Sequence, residues 1–227
     1  MHPRYFDFLD GQIAGVSDVA VRGAMTRISK LHRDILTTTA NVRGNKDLSA
    51  QGRTKEARSF LGKHAAELVR ANAMVQRLTA RIDEKRSGFQ LPAIDKTDAA
   101  GAVLRSQVRD RLAGKSTKEI RALVPTMSLL YLQAILEAPE LVDVDRETID
   151  AARSHAIDIV HPGKLTELNA ERDAVRLLAS ATTALSEAAR DLAELPNNYA
   201  LTDFLNQTVP DQRAIAADVE RETAIAA

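Results

Sequence analysis

The sequence contains no cysteine, and only 4% of its 227 residues are aromatic. The lack of cysteine excludes disulfides, thiolate nucleophiles and cysteine-ligated zinc or iron–sulfur sites, and it fits a reducing compartment. The chain also lacks net charge, because Lys plus Arg equals Asp plus Glu at 31 each. No overall electrostatic field therefore draws it towards nucleic acid or an anionic membrane.

Membrane and secretion signals are also missing. Residues 1–10 lack the basic region and the longer apolar run of a secretory signal. The most apolar stretch, residues 123–136, is interrupted by Pro125, Thr126, Ser128 and Gln133. It falls short of the roughly 20 residues that a membrane-spanning helix requires. We expect a soluble protein that has no membrane partner and is not secreted through a signal peptide.

The sequence also lacks clear β-strand patterns. No segment alternates convincingly between apolar and polar residues, and the β-branched and aromatic types that favour strands are sparse. Alanine, which has the highest helix propensity, is abundant. The sequence therefore predicts an all-α protein with seven or eight helices, including one at about 17–39 and an apolar one at 127–138 that Thr126 caps. A further helix is predicted at 98–113, with Val103 or Leu104, Val108 and Leu112 as its apolar residues, and a short one follows the capping box of Ser116 and Glu119.

The most regular stretch is residues 49–87, which contain no proline. Two rows of residues recur there every seven positions: Leu61, Leu68, Val75 and Ile82, and between them His64, Ala71 and Leu78. Such a seam is typical of a coiled coil. The flanking Phe60, Ala65 and Met74 make the apolar stripe too wide for one partner helix, so we predict a multi-helix bundle.

A second long helix is predicted at 164–195. Its leucines recur every seven residues and small side chains flank them, which favours close packing against the first long helix in antiparallel orientation. The long helix at 49–87 would alone be about 57 Å long. A compact chain of this size has a radius of gyration of only about 17 Å. The predicted fold is an elongated multi-helix bundle with two long antiparallel helices and shorter packing helices.

Two domain boundaries follow from this pattern. Residues 1–195 are predicted to form the bundle, with residues 1–14 as an aromatic N-terminal arm. Residues 196–227 are predicted to form a C-terminal extension, whose last helix starts at Pro210 as its first helical residue. That helix has few large apolar groups and is a candidate for docking on a partner.

Catalytic motifs are absent from the sequence. Neither the glycine–lysine phosphate loop nor the dinucleotide-binding glycine pattern occurs. His155, Asp158 and His161 lie three residues apart, but metal binding needs three or four converging ligands and no further one is near in sequence. We expect a protein that is not an enzyme and holds no cofactor or metal. An enzyme whose site is assembled from dispersed side chains is the third functional hypothesis, after the two given at the end of this section.

A basic cluster is the one notable charge asymmetry. Residues 41–64 hold six basic groups and two acidic ones, and cations fit poorly at a helix N-terminus. They are candidates for contact with an anionic partner, although aromatic residues for base stacking are missing. Residues 116–136 resemble a helix-turn-helix in outline, but the second helix lacks the polar side chains that read bases. The six cluster members are Arg43, Lys46, Arg53, Lys55, Arg58 and Lys63.

Interface candidates lie near both ends of the chain. Tyr5, Phe6 and Phe8 crowd into the first ten positions, and aromatic groups carry much interface energy. The arm is expected either to fold onto its own bundle or to insert into a neighbouring subunit. Ile215 and Val219 are the corresponding candidates in the last helix.

The run Asn45–Arg53, followed by a charged, alanine-rich helix, is similar to a run in small helical proteins from the structural regions of tailed phages and prophages. In those proteins a Leu-Ser-x-x-Gly-Arg turn opens a long helix, and the match covers about twenty of the 227 residues. The resemblance implies a head, neck or tail component or an assembly factor, located in a virion or the cytoplasm, without catalytic residues. The first functional hypothesis is a structural protein that contacts itself or other subunits; the alternative is a regulatory or nucleic-acid-associated module that uses the basic cluster.

Overall fold

The computed structural model describes residues 4–95 and 97–225, with side chains over 7–95 and 97–224. Within those residues the chain is all-α, with ten α-helices, two short 3₁₀ helices and no strand. None of the described helices is long and apolar enough to cross a membrane. The helices are α1 (Arg4–Ile13), α2 (Val19–Gly44), α3 (Ala50–Gly88), α4 (Ala99–Leu112), α5 (Thr117–Leu123), α6 (Leu129–Glu137), α7 (Arg146–Val160), α8 (Lys164–Leu192), α9 (Asn198–Thr208) and α10 (Gln212–Ile225).

Several helix ends differ from the predicted ones for local reasons. α2 continues past the threonines at its predicted end, because the Thr39 hydroxyl bonds to the Ile35 carbonyl (2.7 Å) inside the helix. α8 ends early because Glu194 adopts a positive φ of 53°, a left-handed conformation that terminates helices. α10 starts at Gln212, since the Asp211 carboxylate accepts a bond from the Ala214 amide (3.3 Å). Pro210 is therefore not the first helical residue.

The chain divides into two compact units. Unit 1 comprises Met1–Asp83 and Ala170–Ala227, and unit 2 comprises Glu84–Asn169. The chain passes between the units within α3 and again within α8. The predicted boundary between residues 195 and 196 does not coincide with either crossing, and α9 and α10 belong to the same unit as α2.

The core of unit 1 follows the two predicted seams. In α3, the buried residues include most of both heptad rows and also Ala65 and Met74, which widen the stripe as predicted. The start of α3 lies beside the end of α8, where the Thr54 hydroxyl donates to Glu194 Oε2 (2.9 Å). This meeting of opposite ends agrees with the antiparallel prediction. The buried α8 side chains that complete this core are Val175, Leu178, Ala181, Thr182, Ala184, Leu185, Ala189 and Leu192.

Unit 2 is built around α6, which packs against α4 and α7. The predicted capping box at the start of α5 is present, with reciprocal bonds between Ser116 and Glu119. The predicted cap of α6 is not: the Thr126 hydroxyl donates to the Leu123 carbonyl instead, and α6 starts at Leu129. The main buried residues of unit 2 are Val108, Leu112, Ile120, Val124, Leu132, Ile135 and Ala152.

A buried ion pair holds three helices of unit 1 together. Asp18 caps α2 by accepting a bond from the Val21 amide (3.0 Å), and its other oxygen pairs with the Arg81 guanidinium of α3. Both side chains are less than a tenth exposed. Arg81 Nη1 also donates to the carbonyl of Thr223 in α10 (3.3 Å). One arginine of α3 therefore links the start of α2 to the last helix.

A second link fastens α10 through the carboxylate of Glu222. Its two oxygens accept bonds from Arg27 of α2 (2.7 Å) and Arg70 of α3 (2.6 Å). Burial alone would raise the pKa of the Glu222 carboxyl, but the hydrogen bonds from Arg70 and Arg27 outweigh it and lower the pKa below its ordinary value. The scarcity of apolar groups in α10 is thus offset by charged contacts.

Replacing Arg81 tests the first link. Arg81→Leu leaves the Asp18 carboxylate buried without its partner, so we expect the free energy of unfolding to fall by about 3–5 kcal/mol. In the Asp18→Asn/Arg81→Leu double variant the loss should be smaller than in Arg81→Leu, because asparagine still caps α2 and carries no charge. Urea denaturation followed by circular dichroism measures both. Arg86→Leu, at an exposed position of α3, serves as the control.

Replacing Glu222 tests the second link. We expect Glu222→Gln to lower the free energy of unfolding by about 1–2 kcal/mol at pH 7, because two charge-assisted hydrogen bonds are lost. The pKa of Glu222 in the folded state lies below the ordinary value of 4.5. The difference in the free energy of unfolding between variant and wild type should therefore be fully present at pH values well above 4.5. It should shrink as the pH falls through the lowered pKa, where wild-type Glu222 becomes protonated. Glu220→Gln, an exposed change in the same helix, should show no such pH dependence.

Candidate interaction surface

The residues of the Leu-Ser-x-x-Gly-Arg turn close the start of α3. The Ser49 hydroxyl accepts a bond from the Gly52 amide (3.1 Å), and the Arg53 guanidinium donates to the Leu48 carbonyl (2.9 Å). A Cβ on Gly52 would lie 3.4 Å from Ser49 Oγ, which is tighter than ordinary contact. The motif therefore has a local folding role, and one of the six cluster cations is used within it.

Most of the other basic side chains of the cluster make no described hydrogen bond or ion pair. Arg58 Nε donates to the Ala193 carbonyl at the end of α8 (3.4 Å). The remaining four members, Arg43, Lys46, Lys55 and Lys63, are exposed and make no side-chain hydrogen bond or ion pair with another described residue.

These cations do not form one row. Successive helix residues are rotated by about 100°, so Lys55 and Lys63 lie about 80° apart around α3, and Arg53 lies about 160° from Lys55. Arg43 lines a cavity of about 240 Å³ together with the carboxylates of Glu187 and Asp191. The arrangement thus lacks the continuous cationic stripe that tracks a nucleic-acid backbone.

The predicted N-terminal arm is the helix α1, which packs on α2. Leu9 is fully buried, and Asp10 accepts a bond from Ser29 (2.6 Å) and pairs with Arg33. Phe8 points outward with 55% of its surface exposed. The side chains of Tyr5 and Phe6 lie outside the described part of the structure. Of the two alternatives for the arm, folding onto its own unit holds for Leu9, while Phe8 is available to a neighbour.

The C-terminal interface candidates are placed differently. Val219 is only 1% exposed, so its selection as an interface residue was wrong: its side chain contributes to the core of its own unit. Ile215, one helical turn earlier, is half-buried. α10 looked poorly supported in sequence because the arginines that hold it come from α2 and α3.

The histidines of α7 do not assemble a metal site. Among the described residues, no three His, Cys, Asp or Glu side chains lie close enough to hold a metal ion. His161 instead stacks obliquely on Phe89, with ring centres 5.5 Å apart, and its Nε2 lies 3.4 Å from the Gln90 carbonyl oxygen.

Helix α4 of unit 2 is the surface that sequence inspection missed. Its inner side carries charge: Arg105 Nε and Arg109 Nη1 both bond to Glu137 Oε2 of α6, at 3.0 and 2.8 Å. Arg105 is only 6% exposed. The hydrogen bond from Arg109, followed by that from Arg105, lowers the pKa of Glu137 against the effect of burial, which keeps the carboxylate ionised at neutral pH.

The outer side of α4 exposes two large apolar residues. Val103 is 57% exposed and Leu104 is 49% exposed, although the sequence predicted that one of them joins Val108 and Leu112 in the core. Val108 and Leu112 are buried as predicted, so the helix carries apolar residues on both its inner and its outer side. We call the residues Ala100, Val103, Leu104 and Gln107 the outer face of α4.

A half-open cavity of about 440 Å³ adjoins the C-terminal end of α4. Its lining combines two cations, Arg111 and Lys115, with the apolar side chains of Leu123 and Met127. Tyr131 closes one side, and its hydroxyl accepts a bond from Arg111 (3.3 Å). The cavity is thus suited to a segment that carries an acidic group beside an apolar one.

Comparison with known proteins gives no further assignment. No family model matches the sequence. No curated protein and no solved structure matches the chain.

Proposed function

We propose that this chain is a non-enzymatic structural or assembly protein that associates through helix–helix contacts with further copies of itself. The observation that carries the proposal is the pair of large apolar residues, Val103 and Leu104, that α4 exposes on the side away from Arg105 and Arg109. Single exposed apolar residues are ordinary in monomers. Two adjacent ones, on a helix whose other side is already docked, are better explained by a partner that covers them.

The energetic reasoning concerns both sides of α4. Two arginines that share one carboxylate, together with the buried Val108 and Leu112, dock α4 in unit 2. Val103 and Leu104 are not needed for that docking and can bury area against a partner, at about 25 cal/mol per Å². The helix is held in place by one face and presents the other.

The setting we propose is the particle of a tailed phage or prophage, as a head, neck or tail component. Its support is the Leu-Ser-x-x-Gly-Arg turn before a long helix, together with the all-α architecture. The capping contacts of Ser49, Gly52 and Arg53 show how that turn opens α3.

Self-association of the purified full-length chain tests the proposal. In sedimentation equilibrium, the weight-average mass should rise above that of one chain as the concentration increases from micromolar to submillimolar. A small interface of this kind should give a weak, concentration-dependent complex. A chain that remains monomeric over the whole range would contradict self-association.

A second candidate function is binding to nucleic acid through the basic cluster, favoured by the four exposed cations without a described partner. If Lys46, Lys55 and Lys63 contact phosphates, affinity for duplex DNA should fall steeply with salt. Reversing them together to Glu should abolish binding in a fluorescence anisotropy titration at low salt. Reversal of Lys118, Lys164 and Arg176, which lie elsewhere on the surface, is the control. Absence of binding by the wild type at low salt would end this hypothesis.

A further inference from the structure

We propose that the cavity at the C-terminal end of α4 receives residues 138–143 of a second copy, with Glu140 beside its two cations and Leu141 against its apolar wall. The cavity and the segment both belong to unit 2, and the structure describes every residue of each. The inference rests on the proposed self-association and gives it a contact whose two halves are both present in one chain.

The cavity presents positive charge that lacks a counter-ion. Arg111 and Lys115 line it, and none of the described lining residues is acidic. The described hydrogen bond of the Arg111 side chain goes to the neutral hydroxyl of Tyr131 (3.3 Å). The Ser116 hydroxyl is the main cause that lowers the pKa of Glu119, and Lys115 is the smallest, so that carboxylate is already engaged. A carboxylate from outside is the group that these two cations lack.

The other wall of the cavity is apolar. Leu123 is 40% exposed, while Leu112 and Met127 are buried beside it. Sites for free small molecules enclose most of their ligand, and this cavity is half-open. A side chain that belongs to a larger partner fits better, because the rest of the partner closes the mouth and covers Leu123.

Residues 138–143 carry the matching pair of groups. They include two carboxylates, Glu140 and Asp143, and no cation. Leu141 is 61% exposed, more than the other exposed leucines and valines of the described chain. Glu140 is exposed and makes no side-chain hydrogen bond or ion pair with another described residue. Pro139–Leu141 form a 3₁₀ helix, in which successive residues are rotated by about 120°, so the acidic and the apolar side chain can contact different walls.

The fold fixes the shape of this segment before any contact is made. The amides of Leu141 and Val142 each bond to a carbonyl three residues earlier, at 3.1 and 3.2 Å. Val142 is buried, and the Asp143 carbonyl accepts a bond from the Thr117 hydroxyl (2.9 Å). Docking of a segment that is already ordered loses little conformational entropy.

The contact has to form between copies. Leu141 is exposed to solvent and does not line the cavity of its own chain. Each copy therefore offers one segment and one cavity, which is the requirement for joining two different surfaces of identical chains. Arg111 follows Leu104 by seven residues and lies about 20° from it around α4. The cavity thus adjoins the side of α4 on which the proposed self-association depends.

Substitutions in each half test the contact. Glu140→Lys/Leu141→Gln and Arg111→Glu/Lys115→Glu should each raise the dissociation constant of the self-complex at least about tenfold in sedimentation equilibrium, because charge attraction and apolar burial are lost. All four positions are exposed, so circular dichroism should show unaltered helicity.

The matched controls lie in α7 of the same unit. Asp158→Lys/Ile159→Gln alters another exposed acidic residue that precedes an exposed aliphatic one. Arg146→Glu/Arg153→Glu reverses two exposed cations. These variants change the net charge as much as the test variants do and should leave the dissociation constant unchanged. Equal weakening by the controls would show that net charge governs association, and the inference would fail.

Mixing the two defective variants gives the most specific measurement. Glu140→Lys/Leu141→Gln retains an intact cavity, and Arg111→Glu/Lys115→Glu retains an intact segment. An equimolar mixture should therefore form a complex with one chain of each, at concentrations where either variant alone is monomeric. A mixture that stays monomeric would show that the segment and the cavity do not meet.

The absence of native cysteine permits a direct measurement of proximity. In a mixture of the Leu141→Cys and Ser128→Cys variants, mild oxidation should join one variant to the other, because Ser128 lines the cavity. The mixture of Ile159→Cys with Ser128→Cys is the control and should remain uncross-linked.

The outcomes separate this inference from the proposed function. If the wild type self-associates and neither the substitutions nor the cross-link respond, this contact is wrong and self-association stands on another surface. If the wild type is monomeric at every concentration, both fail. Loss of association in each variant alone, with recovery in the mixture, supports both.

Discussion

The buried pair between Asp18 and Arg81 is the contact on which unit 1 depends. It joins a helix cap to a long-helix side chain, and the same guanidinium reaches the main chain of α10. A charge in the interior is costly unless its partner and its remaining hydrogen bonds are in place. The arrangement therefore admits one placement of α2, α3 and α10, because any shift would leave a charge buried alone. Apolar packing alone would be less selective.

In both units, a carboxylate paired with two arginines helps to hold a helix in place. Glu222 fastens α10 between two arginines, and Glu137 fastens α4 through two others. The consequences differ. α10 has few large apolar residues, so its charges substitute for them, and Val219 still enters the core. α4 is held by its two arginines and by the buried Val108 and Leu112, while Val103 and Leu104 remain on the surface. Those two exposed residues are the basis for the proposed contact between copies.

Sequence periodicity predicted well the features that depend on one helix at a time. The wide stripe of α3, with Ala65 and Met74 beside the heptad rows, was buried as predicted, and Ser116 and Glu119 form the predicted capping box. The sequence did not predict the outer face of α4, because two of the residues on the inner side of the helix are arginines. A sequence pattern marks arginine as solvent-exposed, and only the position of Glu137 on α6 shows that Arg105 is buried. The sequence predicted Val219 as an interface residue, although it is buried. The reason is that its neighbours come from helices far away in the chain.

Composition and local spacing by themselves determined the all-α class, the two long helices and the absence of thiol chemistry. Those properties depend on propensity and on contacts within a few residues. The tertiary structure decided the division into two units, the docking of α10 and the direction in which α4 faces. The docking of α10 and the orientation of α4 involve ion pairs between residues far apart in the chain, such as Arg70 with Glu222 and Arg105 with Glu137. Pairing a charge removes most of the cost of burying it, and no single-helix pattern records where the partner lies.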